Sequence, residues 1–425
     1  MGGRSLMGWA AVVGAGAIAG TAALLGGGDE PATSEDDPPA QVRRVAERVE
    51  GVRGERFEHV PRVRLITKDQ LARRLRREQA RQSARATAAE KASIEALALM
   101  GLVPRGAEDE LTDADDAAAD ILGLYDDQTR ELYVIEDAPG GPAQRELTIA
   151  HELTHALDDQ RFDLDDPRID AGDDEAAARP ALAEGSATDV ELRYAARHLR
   201  GARPRRPHAI PASQRRADYV GSSELFRYLD GARFVAALRR RGGEQAVNRA
   251  LRGHEPRSTE QVLHPDKYFA QEEPVRVRAD LAGVFGDGWR EAVTGTLGEF
   301  DTGQLLLYGA NAARSVDRAR ANRAAAGWGG GRYWMLRGPD QGQAVVLSWA
   351  WDSVKDRREF DAALPAYVEG HLDLRPAGGA AWRDGSLSAA RASVGRRTAL
   401  VLAPDPRLAA KAAAAAVRPS EGSSR

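Results

Sequence analysis

The chain has 425 residues, 42% of them hydrophobic, and its 60 basic side chains nearly balance 64 acidic ones. That length and apolar content suffice for two ordinary domains, each with its own core, and the near-neutral balance gives no global pull toward nucleic acid, so none is expected as a partner. The absence of cysteine excludes disulfides, thiol nucleophiles, thiolate metal sites and a lipid-modified N-terminal cysteine.

Arg4 precedes a nearly uncharged run from Ser5 to Gly28, and acidic residues begin at Asp29 and Glu30. Such flanks fit an export segment with its N-terminus inside, so residues 1–28 are expected to be a signal peptide or an uncleaved membrane anchor. The remainder would then lie outside the cytoplasm, secreted or tethered to the membrane. Residues 29–40, with Pro31, Pro38 and Pro39, read as a flexible linker. Gln41–Glu50 and Gln70–Leu99 are charged, Ala-rich helical stretches joined through a strand at Val63–Ile66, with Thr67 or Asp69 capping the second. They are expected to support a first domain over residues 41–273. Arg clusters at Arg73–Arg77 and Arg203–Arg206 read as solvated faces, because the chain holds only five Lys and is Arg-rich throughout.

Ile121–Tyr125 and Glu131–Ile135 are strand-like runs separated by Asp126–Arg130, which predicts a hairpin whose edge can pair with an extended peptide. After the breaker run Pro139–Pro142, Ala143–Gln160 lacks Gly and Pro and places Leu147, Ala150, Leu153 and Leu157 at helical intervals. Within that helix stands His151-Glu152-Leu153-Thr154-His155. Residues four apart share a helix face, so both imidazoles reach one ion, and Glu152 stands where a general base is needed.

A catalytic zinc takes three protein ligands and leaves one position for water. The elongated form of the motif, with a glycine and a third histidine, is absent, since Asp158 and Arg161 occupy those places. Glu184, among small and apolar residues in Ala181–Thr188, is the leading third ligand, because a buried carboxylate there needs a cation or donors. Glu175 is the alternative, although beside Asp173 and Asp174 it reads as the acidic first turn of a solvated helix.

His151–Leu164, read as HELTHALDDQRFDL, together with Ala183-Glu184-Gly185-Ser186-Ala187, resembles the gluzincin-type zinc metallopeptidases of the zincin fold. More narrowly it is similar to a set of poorly characterised extracytoplasmic prokaryotic proteins with HELxHALxDQ followed by EGxA. Phe226–Phe234, Ser258–Tyr268 and Gly327–Tyr333 look like later blocks of that set, and the scattered likeness runs from Leu97 to Tyr367. The resemblance implies a zinc ion on His151, His155 and Glu184, hydrolysis of a protein or peptide substrate, and Glu152 as the base. One departure is Thr188, which stands where gluzincins often carry an Asp; Asp189 or Glu191 is expected to orient a histidine ligand instead, or to be solvated helix charge. A donor to the oxyanion is also needed. His264 and Tyr268 are its candidates, one turn apart if Pro265 opens a helix, against the plainer reading of a cap and a packed ring. Tyr219, Tyr228 and His198 rank below them.

Beyond a boundary near Glu273, Val275–Val277 and Phe300–Leu307 lead to a predicted helix over Gly309–Ala326. Strands are predicted at Arg332–Leu336, Ala344–Trp351, Ser386–Val394 and Arg397–Leu402, helices at Asp356–Gly370 and from Asp405. Gly327–Arg332 lacks the Lys-Ser/Thr of a phosphate loop and reads as a hairpin turn at a domain contact. The expected fold class is therefore α+β: a zincin-like metallopeptidase domain, largely helical with a small antiparallel sheet, then a smaller C-terminal α+β domain over residues 274–410 and a tail over 411–425. The contrasting functional reading is a catalytically weak or inactive zincin-like extracellular module that binds a partner.

Overall fold

The computed structural model describes residues 39–85, 87–105, 121–126, 129–136, 140–164, 173–199, 219–281, 283–307 and 316–418. Residues 1–28 and the linker up to residue 38, with the export and tether expectations that rest on them, lie outside that set. No helix among the described residues is long and apolar enough to cross a membrane.

Helix α1 (Ala40–Arg53) repeats valine at Val42, Val45, Val49 and Val52, and all four are buried. Strand β1 (Arg62–Ile66) leads into α2 (Lys68–Arg85). Thr67 is the cap: its hydroxyl accepts the Gln70 N–H at 3.2 Å, and the Gln70 side chain accepts the Thr67 N–H at 2.8 Å. The helical stretch expected as one unit is broken, because Thr87 starts a second helix, α3 (Ala88–Leu99), with the same reciprocal capping by Glu90. Strands β2 (Gly123–Asp126) and β3 (Glu131–Ile135) form the anticipated antiparallel pair. Because β1 joins β3 in parallel, the sheet is mixed, in the order β1-β3-β2, with β2 at one edge.

Helix α4 (Gly141–Phe162) takes Pro142 into its first turn and ends at Asp163, which is left-handed at φ 52°. Leu147, Ala150, Leu153 and Leu157 bury against Leu132 and Val134 of β3. Helix α5 (Asp173–His198) follows, then α6 (Tyr219–Leu225), a π-helical segment Phe226–Asp230, α7 (Gly231–Leu251), α8 (Thr259–Leu263) and α9 (Pro265–Phe269). The first turn of α5 is not wholly solvated: Asp174 is buried and accepts the N–H and hydroxyl of Thr259 at 3.0 and 2.7 Å.

The C-terminal part is built on a seven-stranded antiparallel sheet, which makes it more than an appendage to a small sheet. Its strands are β4 (Arg290–Thr296), β5 (Trp328–Arg337), β6 (Gln343–Trp351), β7 (Arg375–Gly378), β8 (Ala381–Asp384), β9 (Leu387–Val394) and β10 (Arg397–Ala403), in the order β4-β5-β6-β10-β9-β8-β7. Four helices accompany it among the described residues: α10 (Glu299–Leu307), α11 (Arg318–Ala325), α12 (Val354–Gly370) and α13 (Pro406–Ala416). Gly327–Arg332 runs into β5 rather than turning: Val275 donates its N–H to the Gly329 carbonyl at 2.7 Å, and a side chain on Gly330 would sit 2.2 Å from the Val275 carbonyl oxygen. The expected tail is helical through Ala416, because Ala409, Ala412, Ala413 and Ala416 bury against one face of the sheet while α12 covers the other.

A fold class of α+β is therefore observed, but no break in packing falls at Glu273. One buried cluster joins Leu97 of α3, Leu182 of α5, Phe234 of α7, Trp349 of β6 and Tyr367 of α12. Tyr367 donates its hydroxyl to the Met100 carbonyl at 2.8 Å, and Arg337 with Gln343 holds Glu95. Helix α3, expected as support for the first half, thus docks on the large sheet.

Burial lowers the imidazole of His371 from 6.5 to about 4, and its Nε2 has no hydrogen-bond partner. A depressed value means that the unfolded chain binds the extra proton first, so stability present above pH 6.5 is lost as the pH falls toward about 4. Equilibrium denaturation across that window is expected to lose up to about 1.4 kcal/mol per pH unit through this group. His371→Phe should flatten the corresponding part of the profile, and an unchanged slope would show that another group sets it.

Candidate metal centre

Helices α4 and α5 pack as an antiparallel pair, and a series of polar contacts sets their register. Along it lie Asp158 with Ser186, His151 with Glu191, and Glu146 with Tyr194, at 2.6, 3.3 and 2.6 Å. Asp158 is buried and also accepts from Arg53 of α1 at 2.8 Å, so a charged clamp sits one turn beyond His155. A second constraint is the crossing of α5 over the start of α7. An added Cβ on Gly185 would lie 2.3 Å from the Gly231 carbonyl carbon, and one on Gly231 would lie 2.0 Å from the Ala181 oxygen. Only glycine permits that approach, and it brings the π-helical segment against Glu184.

His151, His155 and Glu184 meet as expected. The two Nε2 atoms are 3.1 Å apart, and each lies 3.3 Å from Glu184 Oε2. Four donors arranged tetrahedrally at zinc distances of about 2.0–2.1 Å are separated by about 3.3 Å, so the triangle has the dimensions of one face of such a site. The donor chemistry agrees. Glu191 faces His151 Nδ1 at 3.3 Å, so a proton held on that nitrogen would leave Nε2 as the donor turned toward Glu184 and His155. Glu184 is almost fully buried, and its Oε1 has no hydrogen-bond partner. Two lone pairs and a carboxylate held together in a buried place require a cation or protons, so the residues present fit zinc. Against the effect of burial, Glu184 and Glu191 raise His151 well above its ordinary range, and the two histidines hold Glu184 well below its own.

Glu152 lies on the same helix with its Oε2 accepting the Tyr125 N–H of edge strand β2 at 2.9 Å. Burial raises its carboxyl, with the nearby histidines opposing the rise. Tyr228, in the π-helical segment, sets its ring 5.9 Å from that of His151. Burial, reinforced by Glu184 and Glu152, raises its phenol well above the ordinary value.

Other expectations fare differently. Pro265 does open α9, but His264 meets Glu299 at 2.8 Å, and the Tyr268 hydroxyl donates to the His254 carbonyl at 2.7 Å. None of these partners belongs to the triad, and Tyr228 is the aromatic side chain found beside it instead. Glu175 lies among Arg257, Arg179, Glu255 and Glu273. Asp189 pairs with Arg193 and Arg239 at 2.8 and 3.1 Å, which leaves Glu191 as the carboxylate on His151. Tyr219 donates to Asp301 at 2.8 Å, and the His198 ring lies 5.0 Å from that of Tyr194, tilted against it. A second cluster of acids, Glu260, Glu272 and Asp352, already surrounds an internal cation, with Lys267 Nζ at 2.6, 2.8 and 2.6 Å.

A family described as a domain of unknown function (DUF8575) matches residues 285–413, the part that holds the seven-stranded sheet and none of the triad. No curated protein and no solved structure matches the chain.

Zinc titration of the metal-free protein separates the roles. Glu184→Ala is expected to abolish stoichiometric binding, whereas Glu191→Gln should still bind one ion with affinity lowered by about 10- to 100-fold. Full affinity in Glu184→Ala would remove it from the ligand set.

Proposed function

We propose that this chain is a zinc-dependent peptidase acting on protein or peptide substrates, and the observation that carries the reading is the tetrahedral-face geometry of His151, His155 and Glu184 beside Glu152. Bound there, zinc supplies a Lewis acid that polarises a carbonyl and makes a water acidic near neutral pH. With an ion bound, Glu191 would hold a proton on His151 Nδ1 and leave Nε2 as the ligand atom. Glu152 takes the proton of the attacking water and returns it to the leaving amine. To Tyr228, whose ring lies 5.9 Å from that of His151, we assign the donor to the oxyanion, the role for which His264 and Tyr268 were the candidates.

Strand β2 supports a peptide rather than a small ester as substrate. Leu122 O accepts from Ile135 of β3, and alternation along the strand then turns Gly123 and Tyr125 to the outer edge, which is where Tyr125 N–H meets Glu152. An extended chain that adds to this edge would pair with Gly123 and the Tyr125 carbonyl, since the Tyr125 N–H is given to Glu152, and would lie alongside the base. A zincin-like identity belongs to this reading, as does action outside the cytoplasm, which rests on Ser5–Gly28.

The test is hydrolysis of a casein-type substrate by the zinc-loaded chain beside Glu152→Gln. The variant should hold one zinc and lose about three or more orders of magnitude in kcat. Equal turnover in both proteins would remove the assigned base, and zinc-loaded protein with no turnover at all would favour a partner-binding module.

A further inference from the structure

Helix α4 meets the edge strand at a point where the strand has no side chain. An ideal Cβ on Gly123 would lie 2.7 Å from Thr148 Cγ2, 3.0 Å from Glu152 Cγ and 3.4 Å from the Tyr133 carbonyl oxygen. Its backbone is not left-handed, so the reason for glycine here is the close approach and not its torsional freedom. Thr148 and Glu152 are four residues apart and share the face of α4 turned to β2. Two residues along the strand, Tyr125 holds α4 at two points, its amide on Glu152 Oε2 at 2.9 Å and its hydroxyl on Asp159 Oδ2 at 3.0 Å.

We infer that Gly123 is a positioning residue for the base: its missing side chain lets β2 close on α4, so that the Tyr125 amide fixes one oxygen of Glu152 and leaves the other for proton transfer. The inference rests on the peptidase reading above. A glutamate has several rotamers, and an unrestrained one points its oxygens at the reacting water only part of the time. The amide removes that freedom without using a charged partner.

The two close contacts of the absent Cβ are separable, and that supplies the experiment. Gly123→Ala should retain zinc, melt at a lower temperature, expose the Tyr125 amide to faster hydrogen exchange and lose about 10- to 100-fold in kcat with little change in KM. Adding Thr148→Ser removes the Cγ2 that makes the shortest contact but keeps the hydroxyl that donates to Gln144 O. The pair Gly123→Ala with Thr148→Ser is expected to regain the melting temperature while kcat stays low and the Tyr125 amide stays exposed, because the contact with Glu152 Cγ persists. If the single variant fails to fold, the pair alone carries the comparison. Recovery of kcat in step with the melting temperature, or wild-type kcat in Gly123→Ala, would overturn the positioning role. Zinc-loaded wild-type protein that cleaves no peptide would overturn the peptidase reading and this inference together, whereas an active wild type with equally active variants overturns the inference alone.

Discussion

Two imidazole nitrogens and an almost fully buried carboxylate oxygen lie within 3.3 Å of one another, and the packing of the helical half holds them there. Left alone the group would spread or take up protons, since desolvated charge without a counter-charge costs several kcal/mol. The structure prevents spreading from two sides. Asp158, held by Arg53 and Ser186, fixes α4 against α5, and the Gly185–Gly231 crossing fixes α5 against α7. With the backbone so held, the group is balanced either by a proton on His151, which Glu184 and Glu191 favour, or by a cation.

The half of the site that lies on one helix was legible in the sequence, because a helix converts spacing directly into direction. His151, Glu152 and His155 needed only a run without Gly or Pro and an apolar stripe. Glu184 was legible for a different reason: an acid among Ala, Leu, Gly and Ser has no solvated face to occupy, whereas Glu175 beside two aspartates has one. Glu191 stayed unresolved against Asp189 because helical phase alone does not say which charge finds an arginine. Asp189 finds two, Arg193 and Arg239, and Glu191 is left to His151.

What the sequence did not show depends on contacts far apart in the chain. The π-helical turn at Phe226–Asp230 has no compositional signature, yet it is what sets Tyr228 beside His151, in keeping with the frequent use of such turns at functional sites. His264 and Tyr268 fitted the pattern of polar groups near a helix start but found Glu299 and a backbone carbonyl elsewhere. Strand β4 was missed as Arg290–Thr296 alternates weakly, with only Gly295 buried among partly covered neighbours. The parallel pairing of β1 with β3 was hidden likewise, since partner and direction are properties of the sheet and not of a strand.

The large sheet contributes none of His151, His155 and Glu184, but the triad is not independent of it. Glu184 stands on α5, and the start of α5 is held by Asp174 on Thr259. Thr259 opens α8, and its hydroxyl oxygen accepts the Phe300 N–H of α10 at 3.1 Å. From the same short pair of helices, His264 reaches Glu299, and Lys267 reaches Asp352 at the end of β6. Lys267 suits that junction in a chain where arginine prevails: a compact ammonium offers three donors in tripod geometry, which matches Glu260, Glu272 and Asp352, whereas a planar guanidinium directs its donors in one plane. These contacts pin α8 and α9 to the C-terminal part on one side and to the start of α5 on the other. Because a triangle of donors this size loses its geometry when one vertex moves by an ångström or so, the C-terminal part acts as a frame for His151, His155 and Glu184, even though all three stand on α4 and α5.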